Sequence, residues 1–314
     1  MELRKDYLLN NWVLIAEDRG KRPSDFGREK EIRKAFCVFC PGSESQTPPE
    51  LDLIKDNSGN WKARVIPNKF AAVNQNGESG VQTHNNYYTF SGAFGEHEVV
   101  IETPEHDKTL GSLPEEHIAD LFKLYARRVK SMLSNPKAKY VSLFKNQGKA
   151  AGASIQHAHS QLISTSIVPP LIYDKVKVVR SLPYCPYCDI IQREKNSDRR
   201  CFENDSFVAF TPYASQFNYE VWVFPKDHIK DFSDFSDKKY SDLANIVKKI
   251  LTKLDLDEIP YDMSWTLSPT GENLHMHIEI MPRLAIWAGM EMGFGVKVNA
   301  VSPESAARYY RGEK

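Results

Sequence analysis

The chain contains the same order of motifs twice, and this internal repeat restricts its fold more than any other feature. Each copy has a C-x-x-C pair, a strand-like run that ends at a proline and a histidine, a helical stretch and an H-x-H pair. The gap from His106 to His157 is similar to the gap from His228 to His275. Because chance would scatter cysteines and histidines, we predict two related units, residues 1–170 and 171–314, that arose by duplication.

Apolar periodicity predicts short strands and two longer helices. The strands are expected at 11–16, 61–67, 98–102, 140–144, 207–211, 219–224 and 265–267. The helices are expected at 113–133 and 236–254, where apolar residues recur every three or four positions. The polar segments 43–60 and 74–86 are predicted to be loops. Each predicted unit therefore contains several strands and one long helix.

The 314 residues include 41 basic and 41 acidic side chains, so the charges cancel. This balance argues against a protein that binds nucleic acid through a broad positive surface. The first residues lack the apolar core of a signal peptide, and no apolar run is long enough to cross a membrane. We therefore expect a soluble cytoplasmic protein without nucleic-acid or membrane partners. In that compartment, paired cysteines serve as metal ligands or redox thiols rather than disulfides.

Two cysteines separated by two residues, with two histidines from elsewhere in the chain, form a ligand set suited to tetrahedral zinc. The repeat supplies two such sets, Cys37, Cys40, His106 and His157 in the first unit and Cys185, Cys188, His228 and His275 in the second. In the second set, the choice of His275 over His277 rests on the repeat alone. A redox function is the alternative, which is disfavoured because neither C-x-x-C pair is expected to open a thioredoxin-like helix and because both pairs recur with histidines. Closed sites of this kind stabilise the fold.

Residues 144–161, FKNQGKAAGASIQHAHSQ, combine small residues with polar side chains. Glycines allow close approach to a bulky anion, and free amides with the Ser154 hydroxyl can then hold phosphate oxygens. His157, His159 and Gln161 follow at intervals of two, so on a strand they would share one face. A half-buried strand with a polar outer face is the plainer interpretation. Beside a phosphate site, however, His159 is suited to attack phosphorus and Gln161 to donate to a phosphate oxygen.

Further motifs extend along nearly the whole chain. They are W-V-L-I-A with R-x-K-R-P, C-x-x-C-P-G, P-N-K-F-A-A, T-P-E-H-D-K-T-L, N-x-G-x-x-x-G-A-S-x-x-H-x-H-x-Q, the second C-x-x-C, P-K-D-H and H-x-H-x-E. Together they resemble the galactose-1-phosphate uridylyltransferase family, a branch of the histidine-triad superfamily that includes ADP-glucose phosphorylase-like relatives. Residues 288–293, with Val298 and Asn299, resemble the sugar-binding segment of this family.

The resemblance implies an α+β fold of tandem histidine-triad-like units, each a mainly antiparallel sheet flanked by helices, with two Cys/His metal sites. It implies a ping-pong reaction through a nucleotidylated His159. The substrate contacts that it implies are Asn146, Gly152, Ser154 and Gln161 to the phosphates, Arg19 and Arg22 to phosphate or sugar phosphate, Asn68 to the base and Glu291 to the sugar. Zinc is expected in both sites, with iron as the alternative in the second. A homodimer is expected, with the site near the subunit interface.

Several departures from the family pattern bear on the substrate. Ala158 stands where the transferases typically have proline. The form with alanine resembles the ADP-sugar phosphorylase relatives as much as it resembles the transferases. Met290 replaces a common aromatic residue, and Lys297 replaces an uncharged one. The leading interpretation is a UDP-glucose:hexose-1-phosphate uridylyltransferase of galactose metabolism. The alternatives are an ADP-sugar phosphorylase that uses inorganic phosphate, and a zinc-stabilised nucleotide-binding protein without turnover. Gln161, in place of the third histidine of histidine-triad hydrolases, favours transfer over hydrolysis.

Overall fold

The computed structural model of the protein describes residues 1–21 and 36–313. Its centre is a ten-stranded sheet in which neighbouring strands are antiparallel. In order across the sheet, the strands are β10 (Arg200–Glu203), β11 (Phe207–Phe210), β12 (Val221–Pro225), β14 (His277–Pro282), β13 (Tyr261–Thr266), β8 (Tyr140–Gln147), β9 (His159–Thr165), β7 (His97–Ile101), β4 (Trp61–Pro67) and β3 (Asp52–Lys55). The α+β fold that the motifs implied is confirmed.

The strand order reflects the internal repeat. From edge to centre, the strands β3, β4, β7, β9 and β8 of the first half match β10, β11, β12, β14 and β13 of the second. The halves meet where β8 pairs with β13, with Asn146 opposite Asp262 and Leu143 opposite Trp265. The two halves therefore share one continuous sheet. The unit boundary near residue 170 stays a prediction.

Two long helices, α1 (Glu115–Leu133) and α4 (Asp237–Leu256), pack against each other and cover one face of the sheet. Ile118, Phe122 and Tyr125 of α1 recur every three or four positions and are fully buried in the main apolar core. Both helices lie where the sequence periodicity predicted them.

The opposite face of the sheet packs against different parts of the chain. In β7, Val100 faces the core of the long helices, whereas Val99 and Ile101 face a separate apolar cluster. This alternation is the two-residue period of a strand, and it places successive side chains on opposite faces. Helices α2 (Pro170–Arg180) and α3 (Pro186–Glu194) contribute to a third apolar cluster, in the second half.

A smaller sheet joins the two ends of the chain. In it, β2 (Trp12–Ile15) pairs antiparallel with β1 (Glu2–Lys5) and parallel with β15 (Lys297–Asn299). Helices α5 (Gly289–Phe294) and α6 (Pro303–Arg311) flank β15 in the sequence. Strands β5 (Gln82–His84) and β6 (Tyr88–Phe90) form a hairpin. The 3-10 turns are Glu17–Lys21, Glu44–Gln46, Leu110–Ser112, Lys149–Ala151 and Phe232–Asp234.

The predicted strands are present, but the two predicted loops are not entirely loops. The segment 43–60 contains β3, and the segment 74–86 contains β5. Strand β3 lies at the edge of the large sheet and β5 lies in an exposed hairpin, so neither needs the apolar alternation that reveals a buried strand. Within residues 1–21 and 36–313, no helix has both the length and the apolar character that a membrane crossing requires.

Candidate active site and metal centres

His159 begins strand β9, on the sheet face that packs against Phe39. Its Nδ1 lies 2.9 Å from the backbone carbonyl oxygen of His157, and its side chain is 7% exposed. Because a carbonyl oxygen only accepts, Nδ1 has the ring hydrogen, and the lone pair of the neutral imidazole is on Nε2. The Phe39 ring stands edge-on, with its centroid 5.5 Å from that of His159. Burial and the charge of Lys145 lower the pKa of His159, which favours the neutral form.

A buried polar network lies on the other side of β9. Lys145 Nζ pairs with Glu102 Oε2 at 2.9 Å, and both side chains are 0% exposed. The same ammonium donates to the carbonyl oxygen of His159 at 3.2 Å. Glu102 accepts from Ser160 Oγ at 2.5 Å and from the Tyr125 hydroxyl at 3.0 Å. These bonds fix the backbone beneath His159 from the face opposite its imidazole.

Between β8 and β9 the chain forms a tight turn that contains two glycines with positive φ. Gly148 has φ +84° and Gly152 has φ +82°, a conformation that favours glycine. A Cβ on Gly152 would lie 3.6 Å from Asn146 Nδ2, so this backbone and the Asn146 amide face the same space. The expectation of free amides is wrong for residues 151–153, whose N–H groups bond to carbonyls within the turn. Ser154 is exposed, so its side chain and that of Asn146 are two donors that the turn could offer an anion.

Gln161 lies on the same face of β9 as His159. Its Oε1 lies 2.8 Å from Nε2 of His97, the first residue of β7. The same ring nitrogen lies 3.1 Å from Nδ2 of Asn68, which follows β4. The structure thus brings together Gln161 and Asn68, two of the predicted site residues, on either side of a histidine that the sequence did not single out.

Four predicted metal ligands of the first half meet and could hold a metal ion: Cys37, Cys40, His106 and His157. His157 Nδ1 lies 3.6 Å from both sulfurs, and His106 Nδ1 lies 3.4 Å from Cys40 Sγ. Tetrahedral zinc, with Zn–S about 2.3 Å and Zn–N about 2.0 Å, separates such ligand atoms by about 3.5 Å. His157 Nε2 donates to the Thr103 carbonyl oxygen at 2.7 Å, which leaves Nδ1 for a cation. Burial and the facing Cys37 sulfur raise the pKa of Cys40 to about 11, and a cation would counter both effects.

The second group, Cys185, Cys188, His228 and His275, repeats this arrangement and could also hold a metal ion. Cys188 Sγ lies 3.4 Å from His228 Nδ1 and 3.6 Å from His275 Nδ1. His275 Nε2 lies 3.0 Å from the Pro225 carbonyl oxygen, the counterpart of the bond in the first group. Cys185 caps α3 and Cys188 lies in its first turn, so the expectation that neither pair opens a helix is wrong here. Because Cys188 faces two histidines, the geometry still favours metal binding.

His277 occupies the position in the second half that His159 occupies in the first. Its Nδ1 lies 3.0 Å from the carbonyl oxygen of His275, two residues back, as in the first half. Its Nε2, however, lies 3.0 Å from Glu279 Oε1 and 3.1 Å from Lys175 Nζ, and the side chain is 0% exposed. His277 therefore lies outside the second metal group, and a buried ion pair closes the position that corresponds to His159.

Two other predicted substrate residues, Arg19 and Glu291, lie in segments next to the small sheet. Arg19 lies in the exposed turn that follows β2. Glu291 lies in α5, and its backbone carbonyl accepts from Lys297 Nζ at 3.2 Å. Since β15 pairs with β2, the segments that contain Arg19 and Glu291 meet at this sheet, which is separate from the sheet that contains His159. Arg22 lies outside the residues that the structure describes.

Known proteins have sequences and folds similar to those of this chain. A family model described as the N-terminal domain of galactose-1-phosphate uridyl transferase matches residues 1–169, more than half of the chain. The chain belongs to the galactose-1-phosphate uridylyltransferase family. It is therefore a nucleotidyltransferase, and the resemblance seen in its motifs is confirmed. A second model, described as a domain of unknown function, matches residues 93–309.

Relatives within the family have different names. ADP-glucose phosphorylase from Arabidopsis thaliana is 33% identical over 99% of this chain and 92% of its own length. Galactose-1-phosphate uridylyltransferase from Thermotoga maritima is 27% identical, over 99% and 98%. The crystal structure of the Arabidopsis ADP-glucose phosphorylase with bound ADP-glucose matches with a TM-score of 0.86 at 32% identity, covering 100% of this chain and 98% of that one. A uridylyltransferase structure matches with a TM-score of 0.76 at 26% identity, over 99% and 98%.

Three residues that contact His159 or Gln161 and their neighbours were not predicted from the sequence: Glu102, Lys145 and His97. Glu102 and Lys145 gave a signal, since each is a charged residue at the end of a run that alternation predicted to be a strand. His97 gave none, because its partners Ala72 and Gln161 are distant in the sequence and neither contact follows a local pattern.

Proposed function

We propose that this family member moves a nucleotidyl group from a nucleotide-sugar to a phosphorylated acceptor by way of a covalent nucleotidyl-His159. The observation that carries the proposal is the contact of His159 Nδ1 with the His157 carbonyl oxygen at 2.9 Å. This contact leaves the Nε2 lone pair for attack on phosphorus, because the ring hydrogen is held at the other nitrogen.

In the first half-reaction, Nε2 attacks the α-phosphorus of the donor. The bond from that phosphorus to the oxygen bridging the two phosphates breaks, and sugar 1-phosphate leaves. In the second, an oxygen of the acceptor phosphate attacks the same phosphorus, the P–N bond breaks and neutral His159 is restored. Inorganic phosphate as acceptor gives a nucleoside diphosphate, and hexose 1-phosphate gives a new nucleotide-sugar. Gln161 donates to a non-bridging oxygen and stabilises the charge that develops there.

Residues from three parts of the chain would bind the substrates. The turn between β8 and β9 offers the side chains of Asn146 and Ser154 to the phosphates, with Gly152 allowing close approach. Asn68 lies beside Gln161 and would contact the base. The small sheet would provide Arg19 and Glu291, together with Arg22, for the sugar or its phosphate.

Of the two specific reactions that this proposal includes, we place ADP-sugar phosphorolysis first. The Arabidopsis ADP-glucose phosphorylase has both the higher identity, 33% against 27% for the Thermotoga uridylyltransferase, and the higher TM-score among the structures, 0.86 against 0.76. The H-A-H-S-Q form of the central motif is compatible with this choice. Uridylyl transfer from UDP-glucose to a hexose 1-phosphate is the second candidate, supported by the family model that matches residues 1–169.

Zinc would occupy the two Cys/His groups, with iron as the alternative in the second. The soft sulfur donors, the ligand number and the spacing of the ligand atoms suit zinc in a closed structural site. Bound at the first group, zinc would supply a fixed cross-link between residues 37–40 and His157, and hence a fixed carbonyl for His159. Four ligand thiols also suit a reducing compartment such as the cytoplasm.

A homodimer would complete the enzyme. The β5–β6 hairpin exposes Tyr87, Tyr88 and Phe90, at 87%, 68% and 52% of their surface. Clustered exposed aromatic residues are typical of protein interfaces. Light scattering of the purified protein tests this, since a monomeric mass would contradict it.

Intact-mass spectrometry after separate incubation with ADP-glucose and UDP-glucose tests the proposed reaction, with His159→Ala as the control. An AMP adduct only on the wild type supports the phosphorylase assignment, and ADP should then form when phosphate is added. A UMP adduct instead supports the second candidate, to be followed with hexose 1-phosphates. No adduct from either donor would contradict the covalent mechanism and favour a nucleotide-binding protein.

A further inference from the structure

Both ring nitrogens of His97 have partners, from two different parts of the chain. Nδ1 lies 3.2 Å from the backbone nitrogen of Ala72, in the segment that follows β4. Nε2 lies 2.8 Å from Oε1 of Gln161 on β9. His97 thus connects a fixed backbone group to the side chain that we propose binds the transferred phosphoryl group.

The contact with Ala72 determines where neutral His97 has its hydrogen. A backbone N–H is always a donor, so Nδ1 accepts and the ring hydrogen is on Nε2. Nε2 therefore donates to Gln161. The Gln161 atom 2.8 Å away must then be the oxygen, whichever way the amide could otherwise be turned. Both amide hydrogens of Gln161 consequently point away from His97.

Asn68 does not change this assignment. Its Oδ1 accepts from the backbone nitrogen of Phe70 at 2.9 Å, so its amide nitrogen is the atom that faces His97, at 3.1 Å. Donation from this amide to Nε2 would require the ring hydrogen to move to Nδ1, against the N–H of Ala72. Because the backbone donor cannot turn away, the bond from His97 to Gln161 prevails.

We infer that His97 is a positioning residue that holds the amide of Gln161 with its hydrogens towards the non-bridging oxygens of the phosphoryl group. The inference rests on the proposed function of Gln161. Rotation of the Gln161 amide by 180° about its last torsion would exchange the positions of its oxygen and its nitrogen. The amide oxygen, which only accepts hydrogen bonds, would then face the anionic phosphate oxygen. His97 excludes this orientation before the substrate binds, and donors oriented in advance are the ones that lower a barrier.

Kinetics of His97 variants test the inference. His97→Leu removes the donor, whereas His97→Gln keeps an amide N–H near the position of Nε2. In quenched single-turnover reactions with ADP-glucose and with UDP-glucose, His97→Leu should slow adduct formation about 10- to 100-fold at saturating donor. Donor affinity should change little, and His97→Gln should restore most of the rate. A wild-type rate in His97→Leu would overturn the inference.

A double-mutant cycle separates positioning from simple support of the fold. In a Gln161→Ala background, His97→Leu should have almost no further effect on the rate, because the amide that it orients is gone. Fully additive losses would overturn the inference. Melting temperature and metal content, measured for each variant, show how much of any loss comes from unfolding.

The tautomer of His97 is measured separately from turnover. Long-range proton–nitrogen NMR of the unreacted wild-type protein, with His97→Leu for assignment, should show the hydrogen on Nε2. A hydrogen on Nδ1 would overturn the inference, whether or not an adduct forms. Conversely, an Nε2–H tautomer in a wild type that forms no adduct would overturn the proposed reaction and leave the orientation of the Gln161 amide in place.

Discussion

Lys145 Nζ lies 2.9 Å from Glu102 Oε2 at the centre of the protein, with neither side chain exposed. A buried ion pair compensates for lost hydration only when further hydrogen bonds complete it. Here Lys145 also donates to the His159 carbonyl oxygen, and Glu102 accepts from Ser160 and Tyr125. The pair therefore couples the stability of the sheet to the position of the candidate nucleophile.

Lys145→Met should lower the free energy of unfolding by about 3–5 kcal/mol, because it leaves the Glu102 carboxylate buried without a counter-charge. Urea titration measures this, and Lys145→Met/Glu102→Leu should recover part of the loss. Lys238→Met is the control: its partners are Asp205 and Asp242, its side chain is 61% exposed, and its loss of stability should be much smaller. If the free energy of unfolding fell equally in the two lysine variants, burial of the Lys145–Glu102 pair would not explain the loss.

Disruption of the first Cys/His group should have different consequences from disruption of the second. Cys40→Ser and Cys188→Ser should each remove about one equivalent of bound metal, measured by plasma mass spectrometry. Cys40→Ser should also slow adduct formation, because the first group holds His157 and Phe39 against His159. Cys188→Ser should mainly lower the melting temperature. If the two variants lost activity equally at a temperature where both are folded, the separate function of the first group would be wrong.

Gly152→Ala should disturb both the backbone and the proposed phosphate site. Gly271 is a matched control, since both glycines have φ +82° and a Cβ at either would have no neighbour closer than 3.6 Å. Each substitution should therefore cost about 1 kcal/mol of stability. Only Gly152→Ala should weaken donor binding, measured by isothermal titration calorimetry with the His159→Ala protein. If both variants bound the donor with similar affinity, Gly152 would not contribute to the proposed phosphate site.

Lowering the pH should weaken the contacts of Glu279 with Lys175 and His277 in the second half of the chain. Burial disfavours the Glu279 carboxylate, but the Lys175 charge and the His277 contact outweigh burial and hold the pKa of Glu279 well below its usual value of 4.5. The ionised group therefore stabilises the fold at neutral pH, and this contribution is lost as the pH falls below that value. Glu279→Gln should be less stable than wild type at pH 7, and the difference should shrink by about 1.4 kcal/mol per pH unit between about pH 4 and 3. Urea titrations at each pH measure this, and a constant difference would contradict it.

The sequence alone predicted much of the fold and the residues of the two Cys/His groups that could hold a metal ion. The repeated C-x-x-C, proline–histidine and H-x-H motifs identified all eight residues of the two Cys/His groups, and apolar periodicity located both long helices and six of the ten strands of the large sheet. Strand β3 was not predicted, because it lies at the edge of the sheet and is only partly buried, so its sequence lacks a clear apolar alternation. Helix α3 was not predicted, because the proline and two cysteines at its start do not resemble a helix with apolar periodicity.

What the sequence determined by itself is local: which residues alternate on a strand, which glycines can turn, and which side chains recur at matching intervals. Only the tertiary structure decided that Nε2 of His277 faces Lys175 and Glu279, whereas its counterpart His159 lies edge-on to Phe39 and bonds through Nδ1 to the His157 carbonyl oxygen. It also decided that Ala72 and Gln161 meet across His97. The physical reason is that hydrogen-bond partners and burial are set by long-range packing, which no spacing along the chain specifies.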